Sequence, residues 1–236
     1  MPEPQGTLRA VDARADEVLG LITASDGYNV KNAGMTWRDN LEDLVRSAEI
    51  ARDASIPMVV AIGMAMFCPY EGDTPPERIH EIVGRLWDEG VRSFYLAISV
   101  GLDNPRATYD LTASLKDRWP DSVLGLHIHN TNGMGLANAL AGAQAGIEFF
   151  EGSICGIGGG IRMPYGMAPF GNVATEDLVH LFNECGVETG LDTGRVIDAA
   201  RQARDLLELE EPHSYALRGA VKSIVLEQGR TAPRVR

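Results

Sequence analysis

Two histidines separated by a single residue, His127 and His129, close the apolar run Val123-Leu124-Gly125-Leu126. In an extended chain the side chains at i and i+2 share one face. Both imidazoles therefore reach a common point, which is the geometry of a metal-binding pair. Two imidazoles suit many divalent ions and do not complete a coordination shell, and strand histidines also serve as ordinary hydrogen-bonded side chains. Context favours a site. The pair is followed by the polar turn Asn130-Thr131-Asn132-Gly133 and then by a small-residue helix from Leu136 to Ala145. A strand, a loop at its C-terminal end and a returning helix form the unit in which parallel α/β architectures build their sites.

The remaining chain alternates strand-like and helix-like segments with no linker between them. Glu17–Ser25, Met58–Met66, Ser93–Ser99, the histidine strand and Ile147–Ile154 read as five strands, the first of them apolar enough to be buried on both faces. A polar loop follows the first strand. Thr36-x-x-Asp39 has the form of a capping box ahead of Leu41, Leu44, Val45 and Ala48. Thr74-x-x-Glu77, with Pro75 and Pro76, opens a helix ended by Gly90, and Pro105 opens another that runs to about Trp119. Thr175 is expected to cap a helix carrying Glu176 and Asp177 in its first turn, and helical patterns over about 194–209 and 215–228 finish the chain. Phe67 to Gly72 reads as a tight loop. The glycines of Gly156-Ile157-Gly158-Gly159-Gly160 either present backbone N–H groups to an anion or simply punctuate the chain; they form neither a Walker loop nor a dinucleotide fingerprint.

Strand–helix units joined by right-handed crossovers favour a parallel barrel or an open parallel sheet. The 236 residues suit one domain, with C-terminal helices over about 194–228. A formal charge of −12 argues against nucleic-acid binding through phosphate neutralisation, while leaving room for a phosphorylated small ligand. Cys68, Cys155 and Cys185 are odd in number and widely spaced, so a disulfide framework is not expected and a reducing, cytoplasmic setting is. The chain has no apolar run of membrane-spanning length, and no membrane partner is expected.

Several motifs together give the chain a resemblance to the 3-hydroxy-3-methylglutaryl-CoA lyase family of TIM-barrel metal-dependent lyases. They are Cys68-Pro69-Tyr70-Glu71-Gly72, His127-Ile128-His129-Asn130-Thr131 with its following helix, the GIGG loop with Pro164-Tyr165, and Gly171-Asn172-Val173-Ala174-Thr175-Glu176-Asp177. The likeness runs from about Pro4 to Leu207. It implies a (β/α)8 barrel, of which about five βα units are visible here, and a divalent metal, Mg2+ or Mn2+, held by His127, His129 and Asn172. It also implies an acyl-CoA substrate, a carbon–carbon cleavage of a 3-hydroxyacyl-CoA into acetyl-CoA and a keto product, proton transfer by His127, and a homodimer.

Some family positions differ. The family's Arg-Asp-Gly strand, source of a metal-binding aspartate and an enolate-stabilising arginine, has no counterpart; Asp26-Gly27 corresponds to a different loop. The resemblance sets Ile98 where the family has an aspartate and Gly160 where it has a catalytic cysteine, followed by Ile161-Arg162-Met163 as an insertion. Cys155 and Cys68 are expected to be packing thiols. A truncated lyase, a paralogue with altered substrate, and a catalytically impaired binding or partner subunit each account for these differences, and a divergent member lacking N-terminal strands accounts for the most.

Overall fold

The structure, a computed structural model, describes residues 4–158, 171–210 and 213–231. These fall into two compact units, one through Glu151 and the other from Gly152 onward. The first unit contains, in chain order, α1 (Pro4–Asp12), β1 (Val18–Thr23), α2 (Asp26–Ala33), α3 (Trp37–Asp53), β2 (Met58–Gly63), β3 (Phe67–Cys68), β4 (Gly72–Asp73), α4 (Pro76–Asp88), β5 (Ser93–Ile98), α5 (Pro105–Arg118), β6 (Val123–Ile128), α6 (Gly135–Ala145) and β7 (Phe149–Glu151). Strands β1, β2, β5, β6 and β7 lie side by side in that order, all parallel, so each helical crossover returns the chain to the neighbouring strand. This is the expected α/β succession of five βα units.

Alternation along the strands divides the sheet into two faces. Ile22, Ile62, Leu96, Ile98, Leu124, Leu126 and Ile128 are fully buried, each stabilising the fold by about 1.5–3 kcal/mol relative to exposure. The other face is open at its margins: Leu19 is 60% and Phe149 52% exposed. Strand β1 is therefore buried on one face only, contrary to the expectation from its continuous apolar run, because its Leu19 and Leu21 line a cavity.

Local capping follows the sequence at some helices and departs from it at others. Thr36 and Asp39 form the expected reciprocal box at α3. At α4 the cap position is Pro75, and the Thr74 hydroxyl instead donates to the Met64 carbonyl at 2.7 Å, drawing the hairpin of β3 and β4 against the end of β2. The segment after Ser25 is helical, where a loop was expected, because the Ser25 hydroxyl accepts from the Tyr28 N–H and starts α2. The segment expected as one strand over Ile147–Ile154 is strand only at Phe149–Glu151.

The second unit begins with a 3-10 turn at Ile154–Gly156 and continues through α7 (Thr175–Glu184), α8 (Thr193–Leu206) and α9 (Lys222–Thr231). Ser153 makes an isolated parallel bridge to Ala174. Thr175 is the first residue of α7 and not its cap. Asp177 accepts from the N–H groups of Tyr215 and Ala216 at 2.9 and 2.8 Å, which holds that segment in turns and delays α9 to Lys222, past the expected start at Tyr215.

The loop between β5 and α5 buries one carboxyl. Asp103 is 4% exposed and its Oδ2 has no hydrogen-bond partner. Burial, with the charge of Asp73 adding to it, pushes its pKa up to about 7. A carboxyl whose folded pKa lies above its unfolded value stabilises the fold fully at pH below the unfolded value and progressively less as pH rises toward 7. Asp103→Asn is accordingly expected to raise stability by about 2–4 kcal/mol at pH 8 and far less at pH 4, as read from urea unfolding at the two pH values. An equal effect at both would show that the carboxyl is not destabilised by ionisation.

Candidate functional site

The cavity-facing positions of the sheet converge on a space of about 340 Å³ lined from β1 by Leu19, Leu21 and Thr23, from β2 by Ala61 and Gly63, from β5 by Ala97, and beyond it by Ser99, His127, His129 and Glu151. The two imidazoles meet there as the i, i+2 spacing requires: their ring centroids are 5.1 Å apart and the planes lie at 70°. Glu151, the last residue of β7, sits opposite His127 in the strand register and its Oε2 is 3.0 Å from His127 Nδ1. With Nδ1–H donating to that carboxylate, Nε2 is the ring nitrogen left for a ligand or a proton. Glu151 was not foreseen in the sequence. The signal available was register alone, since parallel pairing sets the fifth residue of IEFFEGSI beside His127.

The supporting loops are fixed by hydrogen bonds to short polar side chains. Ser99 Oγ accepts from the Met64 N–H at 2.8 Å, and Met64 holds a left-handed φ of 53° at the mouth of β2. Asn130 Oδ1 accepts from the Gly135 N–H at 2.8 Å, closing the turn behind His129 onto the start of α6. The β5–α5 loop touches the same turn: Gly101 accepts from the Asn132 N–H at 2.9 Å with φ +64°, and a Cβ there would fall 2.5 Å from the Thr131 nitrogen. Only glycine permits that approach.

The Cys68-Pro69-Tyr70-Glu71-Gly72 motif works as a clasp. Cys68 Sγ is 2.9 Å from Ser25 Oγ, Glu71 accepts from the Gly27 N–H, and Arg78 bridges Glu71 and the Ala24 carbonyl. It ties the loop after β1 to the hairpin, so the packing role expected for Cys68 agrees with its surroundings. All three cysteines are free thiols.

Ile98, matched by resemblance to the family's aspartate, is 0% exposed and lies on the helix-covered face. Ala97 of β5, and Ser99 just beyond the strand's end, are the neighbours that face the cavity. Gly160, Pro164 and Tyr165 lie outside the described residues.

Asn172 belongs to the second unit. Its Nδ2 donates to the Ile157 carbonyl at 3.1 Å, which orients the amide and leaves Oδ1 buried with no hydrogen-bond partner. A Cβ on Gly158, whose φ is +115°, would stand 2.5 Å from that Nδ2. This explains the glycine better than an anion cradle does, because the Gly156 and Ile157 N–H groups donate within their own turn, to Ser153 and Ile154. Cys155, at a left-handed φ of 59°, is pinned by its N–H to Glu176 and by its thiol to the Ala200 carbonyl at 3.1 Å, and burial pushes the thiol's pKa up. A buried, hydrogen-bonded thiol is a packing group and a poor proton donor.

Among the described residues no group of three His, Cys, Asp or Glu side chains is placed to hold a metal ion. Within the first unit the donor chemistry still fits a divalent cation, a pair of imidazoles on one face.

Gly101→Ala is expected to destabilise the fold by about 2–4 kcal/mol, from left-handed strain and the clash with Thr131, and to displace the His129 ring. Thermal unfolding together with the His129 imidazole NMR signals reads both effects; an unchanged melting temperature would contradict this account of the loop.

Comparison with known proteins places these features in a family. Residues 3–202 match the HMGL-like family. The chain is 38% identical over 200 residues to (R)-citramalyl-CoA lyase of Chloroflexus aurantiacus, covering 85% of this chain and 62% of that protein. It is 33% identical over 199 residues to the cytoplasmic 3-hydroxy-3-methylglutaryl-CoA lyase of Rattus norvegicus, covering 84% and 57%. The chain thus spans about six-tenths of the length of these relatives. An HMG-CoA lyase structure from Acinetobacter baumannii, in complex with coenzyme A and 3-methylmalate, superposes with a TM-score of 0.85 at 26% identity, over 100% of this chain and 73% of that one. Its five parallel βα units are those of a TIM barrel, and the chain belongs to the HMGL-like family.

Proposed function

We propose that this chain serves a divalent-metal-dependent carbon–carbon lyase acting on a 3-hydroxyacyl-CoA, with 3-hydroxy-3-methylglutaryl-CoA and (R)-citramalyl-CoA as the substrates suggested by its relatives. The observation that carries the reading is the histidine pair on the cavity-facing side of β6, with Glu151 on the Nδ1 of His127. His127 and His129 are the residues proposed to hold Mg2+ or Mn2+, and the orphaned Oδ1 of Asn172 supports it as an oxygen ligand. A bound divalent cation supplies Lewis acidity, making the substrate hydroxyl easier to deprotonate and stabilising enolate charge.

The residues themselves have two tasks. Glu151 holds the ring of His127 and fixes the tautomer with Nδ1 protonated. His127 is also the group proposed to move the proton. Loss of the 3-hydroxyl proton turns the C–O bond into a carbonyl as C2–C3 breaks, and the electron pair passes to C2 as the thioester enolate. A proton returned to C2 gives acetyl-CoA. Coordination and proton transfer compete for the single Nε2, so a His127 that holds the cation does not carry the proton in the same step. The expectations of a homodimer and a cytoplasmic setting belong to this reading, supported by the resemblance and by the three free thiols.

A second reading has its own support. From β1, β2 and β5 the cavity receives only Leu19, Leu21, Thr23, Ala61, Gly63 and Ala97, none of them ionisable, which fits a binding or partner subunit impaired in catalysis. Mn2+ binding followed by electron paramagnetic resonance, with cleavage of both thioesters assayed by acetyl-CoA release, separates the two. The lyase reading expects Mn2+ affinity to fall at least about 100-fold in His129→Ala and about 10- to 100-fold in Asn172→Ala and Glu151→Gln, with cleavage falling in parallel. Thioester binding without cleavage in the unaltered protein would establish the binding role instead.

A further inference from the structure

The cavity that holds the histidine pair carries a polar group on β1 that no step of the lyase reading uses. Thr23, the last residue of β1, lies on the same face as Leu19 and Leu21 and is 4% exposed. Its Oγ1 has no hydrogen-bond partner among the described residues, yet it is not one of the oxygens that packing seals from solvent. The hydroxyl therefore opens onto the cavity that Thr23 lines. A buried hydroxyl left unpaired costs roughly 1–3 kcal/mol, so the position calls for a partner atom from a ligand.

The surroundings define that atom. Gly63 faces Thr23 in the β1–β2 register, and a Cβ there would stand 3.5 Å from Thr23 Oγ1 and 3.6 Å from Ser99 Oγ. The missing methyl leaves room for a ligand atom beside Oγ1. Ser99 Oγ accepts from the Met64 N–H and donates to the Ala97 carbonyl at 3.4 Å, so its proton is in use and Thr23 supplies the uncommitted donor. Leu19, Leu21, Ala61 and Ala97 make the rest of this side apolar, and no Lys or Arg is among the described residues that line the space. A carboxylate oxygen is the strongest partner that a lone neutral donor can take. The volume of about 340 Å³ suits a branched acyl group of a few carbons, with a coenzyme left outside.

We propose that Thr23 is a specificity-determining residue of this cavity, its hydroxyl donating to a carboxylate oxygen at the end of the acyl group while Leu19, Leu21 and Ala61 pack against the hydrocarbon. The identity of the acyl group rests on the lyase reading; the hydrogen bond is measured without it. A site built around one polar contact discriminates against analogues that lack the contacting group.

The test titrates the full 236-residue chain calorimetrically, in the presence of MnCl2, with 3-hydroxy-3-methylglutarate and separately with 3-hydroxy-3-methylbutanoate. The second acid keeps the tertiary hydroxyl and one carboxylate and lacks the other carboxylate. The glutarate is expected to bind roughly tenfold tighter, and Thr23→Val to abolish that preference by weakening the glutarate roughly tenfold while leaving the butanoate within about twofold. Thr23→Ser is expected to keep the preference. Gly63→Ala, whose Cβ fits at ordinary contact distance, is expected to weaken the glutarate by occupying the space beside Oγ1. Thr23→Val is also expected to melt at or above the temperature of the unaltered chain, since it removes an unpaired hydroxyl. A preference that survives Thr23→Val, equal affinities of the unaltered chain for the two acids, or no saturable binding of either overturns the proposal. So does a Thr23→Val that fails to fold, which would give the hydroxyl a structural role. Thioester cleavage by the unaltered chain decides the lyase reading separately. Cleavage with a preference indifferent to Thr23 keeps the lyase and removes this contact, whereas a preference that follows Thr23 without cleavage keeps the contact in a binding protein.

Discussion

The alternation of side chains across a parallel strand is the constraint on which this molecule depends. In β6 it sends Leu124, Leu126 and Ile128 under the helices and His127 and His129 to the opposite side. Hydrophobic burial therefore sets the register, and register delivers the two imidazoles to one place. A slip of one residue would bury both histidines and expose the core residues, so a register error is opposed by the full burial energy of the strand. The same rule in β5 places Ala97 at the cavity and Ile98 beneath the helices, with Ser99 at the cavity just past the strand's end, and in β7 it brings Glu151 beside His127.

Around that sheet, short polar side chains do work that longer ones could not. Ser99 and Thr74 each bond a backbone group of a neighbouring loop, and Ser25 and Asn130 each bond one within their own turn. Every such bond satisfies a donor or acceptor that burial would otherwise leave costly. The loops at the C-terminal ends of the strands are thereby held by one another as well as by the strands. In the second unit Asn172 and Gly158 show the same economy, an amide oriented by one carbonyl and admitted by the lack of a Cβ.

Two buried carboxyls whose pKa burial pushes up stand apart from this pattern, as do the partnerless buried oxygens of Thr112 and Asn172. Glu176 is fully buried, with its pKa pushed up by burial, yet it accepts from the Cys155 N–H and so fixes a left-handed turn. Asp103 has no such donor at Oδ2. Sites that give up stability in this way tend to be functional, because selection for stability alone would replace the group.

The sequence by itself determined the order of the five sheet strands and of the helices from α3 onward, the single face shared by His127 and His129, the box at Thr36 and the packing character of Cys68 and Cys155. Each of these follows from local periodicity or from side-chain chemistry acting over a few residues. It did not determine Glu151 as the partner of His127, the inward position of Ser99 in place of Ile98, the use of Thr74 away from its helix, the delay of α9, or the burial of Asp103. Those outcomes depend on which strand lies beside which, and on which backbone group a loop presents to a side chain tens of residues distant. Tertiary structure decided them because hydrogen bonding and desolvation depend on proximity in space, and sequence spacing encodes that proximity only within one element.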